Sequence, residues 1–313
     1  MNEKTDIRSE TRESPFPVGV RVLLVEETRR RKRIERAAAA LLESSGFDEV
    51  TLPVVDFADP YAGVISPADF RAAYRFTDAS GELLAVRADF TPMLARAVAP
   101  LVREREGALR LFYRGDVVRR ERVRLGRSRE CFQIGAELIG DASPAADAEM
   151  IRLAVAVARA CGASPVAALS HAGLLPLLAA SSGGSQRLRS IVRSRRRMEL
   201  ASMPLDARAR PLIEALVDGT LTPEALAAFP PAEEIASRLI ALREELRGEV
   251  ELSLDEDGEA SYYSGIRFRV YDQRRLIEIG AGGRYDTLYG EFGASAPAVG
   301  FTITTDALEE DAR

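Results

Sequence analysis

Tryptophan is absent from the 313 residues, histidine occurs once and cysteine twice. That scarcity argues against a disulfide scaffold and against a zinc site built from Cys and His. Cys131 and Cys161 are read as packing residues, and no metal or cofactor is expected. Lysine is almost missing as well: of the 43 basic residues only Lys4 and Lys32 are lysines. Arginine is therefore the default cation, and an arginine cluster carries less information than it would elsewhere. No apolar run approaches the ~20 residues that a membrane-spanning helix needs. The opening MNEKTDIRSETRESPFP is polar and charged where a signal peptide would be apolar. The expectation is a cytoplasmic protein that does not contact membranes. A net charge of −5 disfavours a chain whose main task is gripping a nucleic-acid backbone.

What is present is a globular composition, 46% apolar and 29% charged, in a chain long enough for a large core and a small insert. Residues 1–17 read as a flexible lead. Ile34, Ala38, Leu41 and Leu42 fall at helical spacing ahead of Gly46, which predicts a helix of roughly twenty residues with a glycine cap. VTLPVVDF then reads as a short strand restricted by Pro53 to an edge or an irregular start. Residues 83–86, 108–120 and 129–139 read as further strands, with ERVRLGRS as a long hairpin loop between the last two. Helix is expected from Pro144 to about Ala160 and strand over 164–170. From 172 to 247 the pattern is almost wholly helical and punctuated by prolines, as an insertion would be. Strand character returns where Ile266, Phe268 and Val270 alternate with Arg267, Arg269 and Tyr271. LIEIGAGGRYDTLYG is read as a strand running through a glycine turn into a helix, and AVGFTIT as the last strand. The expected division is a core of 18–171 and 248–313 with the insertion 172–247.

Within RECFQIGAELIG, the two-residue period places Arg129, Cys131, Gln133, Gly135 and Glu137 on one face and Phe132, Ile134, Ala136 and Leu138 on the other. The first face admits two readings: a polar floor with room above a glycine for a small ligand, or a solvent-exposed sheet face. The arginines of FYRGDVVRRERVRLGRSRE suit a phosphate or carboxylate, or a solvated loop. In VRADFTP, Asp89 and Thr91 offer an anion and a hydroxyl, or an ordinary turn. AGGRYDTL lacks the Walker lysine and the dinucleotide fingerprint, so it is weak as a phosphate loop. His171, among apolar residues, reads as a core or capping histidine, and the arginine-rich stretch 187–200 as a solvated helix face rather than an RNA site.

The order of these segments, from FPVGVRVLLVEE to VGFTITTDAL, resembles the core of class II histidyl-tRNA synthetases. SSGFDEVTLPVVDF is similar to the first motif, a dimer-forming segment that includes Gly46 and Pro53. VVRRERVRLGRSRECFQIGAELIG is similar to the second motif and its extension. SYYSGIRF and AGGRYDTLYGEFG resemble the segments lining the histidine pocket. The resemblance implies an α+β fold: a mixed, mainly antiparallel sheet flanked by helices, with a helical insertion. It assigns Asp89, Gln133 and Glu137 to the surroundings of the amino acid's ammonium and ring, and Thr91, Tyr262 and Tyr263 to the pocket wall. Arg119 matches the second-motif arginine that, in the enzymes, meets the substrate carboxylate and the ATP phosphate.

Three departures qualify the likeness. The enzymes have a glutamate where this chain has Asp89. They also carry a catalytic arginine where it has Gly258, and an ATP-binding arginine where it has Ala307. Adenylation depends on cations that neutralise the polyphosphate, and losing one such group commonly costs ~3 kcal/mol of transition-state stabilisation. The anticodon-binding domain of those enzymes has no counterpart in these 313 residues, so specific tRNA binding is not expected. The likeness therefore points to the non-catalytic regulatory-subunit family of ATP phosphoribosyltransferase. It implies a short-form catalytic subunit as partner, histidine as effector and a homodimer within a hetero-oligomer. The alternatives are an active histidine-activating ligase and a tRNA-binding module.

Overall fold

The computed structural model describes residues 16–120, 128–180, 186–254 and 262–309. Helix α1 (Val25–Ser44) opens with the Glu27 carboxylate accepting the Leu24 N–H at 2.9 Å. It buries Ile34, Ala38, Ala39 and Leu42, a stripe at helical spacing. Gly46 follows in the left-handed region at φ +81°, where its lack of a Cβ lets the chain turn into the sheet.

The main sheet has eight strands: β1 (Asp48–Glu49), β5 (Leu109–Val118), β6 (Glu130–Ile139), β7 (Pro165–His171), β8 (Val250–Leu252), β9 (Ile266–Asp272), β10 (Ile277–Arg284) and β11 (Ala298–Thr304). Their spatial order is β1-β5-β6-β11-β10-β9-β7-β8. Only the two edge pairings, β1 with β5 and β7 with β8, are parallel. A second sheet of three strands is formed by β2 (Val55–Phe57), β3 (Arg75–Thr77) and β4 (Leu83–Val86), with β4 in the middle. The architecture is therefore the α+β arrangement expected from the sequence, a mixed and mainly antiparallel sheet flanked by helices.

Two expectations need correction. VTLPVVDF does not form one strand: the chain leaves the main sheet after β1 and re-enters as β2 of the smaller one. Pro53 has no N–H to offer a ladder, and the carbonyls of Leu52 and Pro53 are taken by Nη1 of buried Arg87 at 2.8 and 3.2 Å. Nor do the glycines of LIEIGAGGRYDTLYG form a turn into a helix. Gly280, Gly282 and Gly283 lie inside β10, followed by a short 3₁₀ turn over Leu288–Phe292. Neighbouring backbone and the Tyr263 and Phe268 rings occupy the space where their side chains would stand, so these glycines permit close packing. The hairpin loop ERVRLGRS falls mostly in residues 121–127, outside the described residues.

Helices α2 (Pro67–Ala72) and α3 (Thr91–Glu104) precede β5, and α4 (Pro144–Ala160) follows β6, capped by Ser143 accepting the Ala146 N–H at 3.2 Å. Six helices then run without an intervening strand: α5 (Leu174–Ala180), α6 (Gln186–Arg193), α7 (Arg197–Ala201), α8 (Arg210–Asp218), α9 (Pro223–Ala227) and α10 (Glu233–Glu245). A last turn, α11, covers Asp306–Glu309. One face of the sheet packs Phe132, Ile134, Ala136, Leu138, Phe268 and Val270 against α1 and α4. The opposite face packs Tyr113, Ile139 and Ala298 against Leu94 of α3 and Tyr289. The helices between 174 and 245 bury a separate apolar cluster of their own, including Leu178, Ile213, Leu226 and Leu239. Among the described residues no helix is long and apolar enough to cross a membrane. Nor do any of them form a group of three or more His, Cys, Asp or Glu suited to a metal.

Candidate functional site

Strand alternation turns Gln133, Gly135 and Glu137 of β6 toward the face opposite α1 and α4, as the two-residue period predicts. The face is not solvent-exposed, however: Gln133 is 6% and Glu137 1% exposed. Glu137 is the hub. Its Oε1 accepts the Thr91 hydroxyl at 2.7 Å and the Tyr113 hydroxyl at 3.2 Å, and its Oε2 accepts the hydroxyl of Tyr285. Tyr113 also shares a hydrogen bond of 2.8 Å with Thr302 of β11. Bare backbone makes room for this cluster. Gly300 of β11 sits directly opposite Glu137 in the ladder, and a Cβ there would overlap Oε2 of Glu137. Gly135 faces Tyr113 across the ladder, and a Cβ there would meet its hydroxyl at 2.5 Å.

Asp89 lies on the loop before α3. Its Oδ1 accepts the Thr91 N–H at 3.2 Å and its Oδ2 the Tyr262 hydroxyl at 3.1 Å. Thr91 is the first residue of α3 and is buried, which fixes its hydroxyl on Glu137. The Tyr262 ring meets Tyr263 at 5.0 Å and the edge of Tyr285 at 5.7 Å between centroids. A second stack runs from the Arg87 guanidinium over Phe90 at 4.0 Å to Tyr113, 4.3 Å beyond and nearly parallel. Asp89, Thr91, Glu137, Tyr262 and Tyr263 thus meet around one cluster. Gln133 lies four residues along β6 from Glu137, and its side-chain carbonyl is buried with no hydrogen-bond partner among the described residues. Arg119 is half-buried, and its Nε donates to the Ala88 carbonyl at 2.7 Å, next to Asp89.

Burial dominates the electrostatics. It pushes the Glu137 carboxyl up to about 8, and the hydroxyls of Tyr285, Thr91 and Tyr113 offset that only in part. Burial, and then the nearby carboxylates, hold the hydroxyls of Tyr113, Tyr262 and Tyr285 protonated as donors. The result is a carboxyl with donors fixed around it and one orphaned amide oxygen on the same strand. Such a set can bind a small polar ligand carrying N–H groups.

Sequence reasoning missed Tyr113, Tyr285 and Thr302. Tyr285 stands within AGGRYDTL, two residues after a glycine that was weighed as a phosphate loop. Tyr113 is in phase with Gly115 and Val117 on the same strand face, a signal that the ladder partner Gly135 makes visible. Of the two positions without the enzymes' arginines, Gly258 lies outside the described residues and Ala307 falls in α11. The neighbours Asp306 and Glu309 pair with Arg31 at 3.0 and 2.6 Å. The remaining candidates serve structure. His171 ends β7, and its Nδ1 accepts the Gly173 N–H at 3.0 Å. Cys161 caps α4, and in the arginine-rich stretch Arg196 pairs with Glu199 at 2.6 Å.

A family model described as histidyl-tRNA synthetase matches residues 19–308. An ATP phosphoribosyltransferase regulatory subunit of Geobacillus thermodenitrificans is 32% identical, over 94% of this chain and 79% of its own length. One of Bacillus subtilis is 30% identical, over 94% and 80%. A crystal structure from Bacillus halodurans, described as an ATP phosphoribosyltransferase regulatory subunit/histidyl-tRNA synthetase, superposes with a TM-score of 0.83 at 27% identity, covering 96% of this chain and 83% of that one. With fold and sequence in agreement, this chain belongs to the ATP phosphoribosyltransferase regulatory subunits, a family built on the histidyl-tRNA synthetase core.

Proposed function

We propose that this chain is the regulatory subunit of ATP phosphoribosyltransferase in the first step of histidine biosynthesis. A short-form catalytic subunit needs it for activity, and through it histidine inhibits the complex. The observation that carries the reading is the Glu137 cluster: a dry carboxyl flanked by three hydroxyl donors, with the unpartnered Gln133 carbonyl on the same strand. An imidazole N–H meets the carboxyl, and the ammonium lies toward Gln133, Thr91 and Asp89. Tyr262 and Tyr263 close the wall, and Arg119 takes the carboxylate. The chain itself is not catalytic, because Gly258 and Ala307 stand where adenylation needs guanidinium groups.

Two copies pair through the region of Gly46, Pro53 and β2. The smaller sheet supports this pairing, since it presents Val55, Phe57 and Phe76 to solvent around Leu84. The helical block 172–247 is an insertion into the synthetase-like core, consistent with its separate apolar cluster. Histidine changes catalysis only as far as it binds one arrangement of the complex better than another, typically by ~1–3 kcal/mol.

The test is to mix the purified chain with a short-form phosphoribosyltransferase. Activity should appear on mixing and fall on adding histidine. Calorimetry should detect histidine binding that Gln133→Ala with Glu137→Ala abolishes. Binding unaltered by the double substitution would remove the sensor reading, and histidine-dependent exchange of pyrophosphate into ATP would restore the enzymatic one.

A further inference from the structure

Asp147, in the first turn of α4, is completely buried and carries two guanidinium groups. Arg284, the last residue of β10, reaches Oδ1 through Nε at 2.8 Å and Nη2 at 2.7 Å. Arg238 of α10 reaches Oδ2 through Nε at 2.9 Å and also through Nη2. Arg284 is itself 4% exposed. Its remaining donors meet the carbonyls of Asp141 and Ser143 and the Asp286 carboxylate. Every donor on that side is engaged, so Arg284 cannot turn without breaking several charge-assisted bonds. Its chain neighbour is Tyr285, whose hydroxyl is on Glu137.

The other partner belongs to a helix shared by two cores. Ile235, Ala236 and Leu239 of α10 pack in the helical block, whereas Leu242 and Leu246 pack under the main sheet. Arg238 lies among the former, at the point where the helix passes from one core to the other. A buried carboxylate left with one cation fewer is costly, so a displacement at either arginine is felt at the other.

We propose that Asp147 is a positioning residue: by holding Arg284 and Arg238 together it ties Tyr285 and the ligand cluster to the helical block, so that filling the cluster restrains the block. This rests on the reading of the Glu137 cluster as a histidine site. Histidine that engages Glu137 meets Tyr285, whose backbone continues directly from the anchored Arg284.

Hydrogen exchange on the full chain, with and without histidine, reads this directly. Histidine should slow exchange in residues 233–245 of the native protein. Arg238→Met should abolish that slowing and weaken histidine binding by the same factor, roughly 5- to 150-fold, because coupling is reciprocal. Arg238→Lys keeps the charge without the fork and should fall between the two. Equal histidine affinity in native protein and Arg238→Met would overturn the proposal. So would histidine binding that leaves exchange in the helical block of the native chain unchanged. If the native chain and its complex with the catalytic subunit both fail to bind histidine in calorimetry, the pocket reading falls, and this inference with it.

Discussion

Desolvation holds Glu137 protonated well above the usual carboxylate range, up to about 8. The sign of the consequence follows from linkage. An acid whose folded value is raised favours the fold only while protonated. Its contribution is complete below its ordinary value near 4.5 and is lost as pH rises toward about 8. The empty protein should therefore weaken across that window by up to about 1.4 kcal/mol per pH unit. Glu137→Gln should flatten the dependence, and denaturant unfolding at pH 6 and pH 8.5 measures it; an unchanged slope contradicts the assignment. Gly300 offers a second test at this scale. A methyl group there occupies the place of Glu137 Oε2, so Gly300→Ala should abolish ligand binding in calorimetry and lower stability by about 1–3 kcal/mol, as overpacking does. Unchanged histidine affinity in this variant would show that Glu137 is not held as described.

Among elements, those with a strong period were legible and those defined by long-range pairing were not. α4 begins at Pro144 and ends at Ala160, where its alanine-rich run predicts. β6 shows the in-out alternation that separates Ile134 from Gln133. By contrast, Pro53 announces an irregular strand but not that the chain changes sheets there: Arg87, more than thirty residues away, claims the Leu52 and Pro53 carbonyls. The glycines of β10 mimic a turn because their role, close approach to β9 and β11, exists only once the neighbours are in place. In the same way motif, phase and resemblance point to Asp89, Thr91, Gln133 and Glu137 as candidates, while the contacts that Tyr113 and Tyr285 make with Glu137 become visible only through the register. The junction of β7 and α5 carries its own prediction. Burial and the nearby Arg238 and Arg267 hold His171 down at about 4, so the fold binds it neutral. That contribution is complete above its ordinary 6.5 and fades as pH falls toward about 4. Because the chain has a single histidine, proton NMR shows one imidazole titration, expected near 4. A midpoint near 6.5 would mean that His171 is not buried beside Arg238 and Arg267 as described.

At the scale of the whole molecule, the smaller sheet is the part on which the proposed pairing of two copies rests. Phe57 and Phe76 flank Leu84 in ladder register, and Val55 stands opposite Val86, which gathers the apolar side chains on one face. Val55, Phe57 and Phe76 remain 38%, 46% and 44% exposed. Leu24 and Val25, at the start of α1, are more exposed still. Apolar side chains exposed together on one sheet face are what the proposed pairing would cover, and a stable interface covers about 800 Å² per partner. A second copy suits the face, because a two-fold contact sets the same apolar residues against each other without requiring complementary charge. Phe57→Asp with Phe76→Asp places two carboxylates on that face and makes four of them in the pair, which should shift the protein to monomer. Sedimentation velocity at micromolar concentration should then show the native chain as a dimer and the double variant as a monomer. Histidine binding should survive, since every group of the Glu137 cluster comes from one chain. A native chain that sediments as a monomer would remove the pairing, and a double variant that remains dimeric would move the interface to another face.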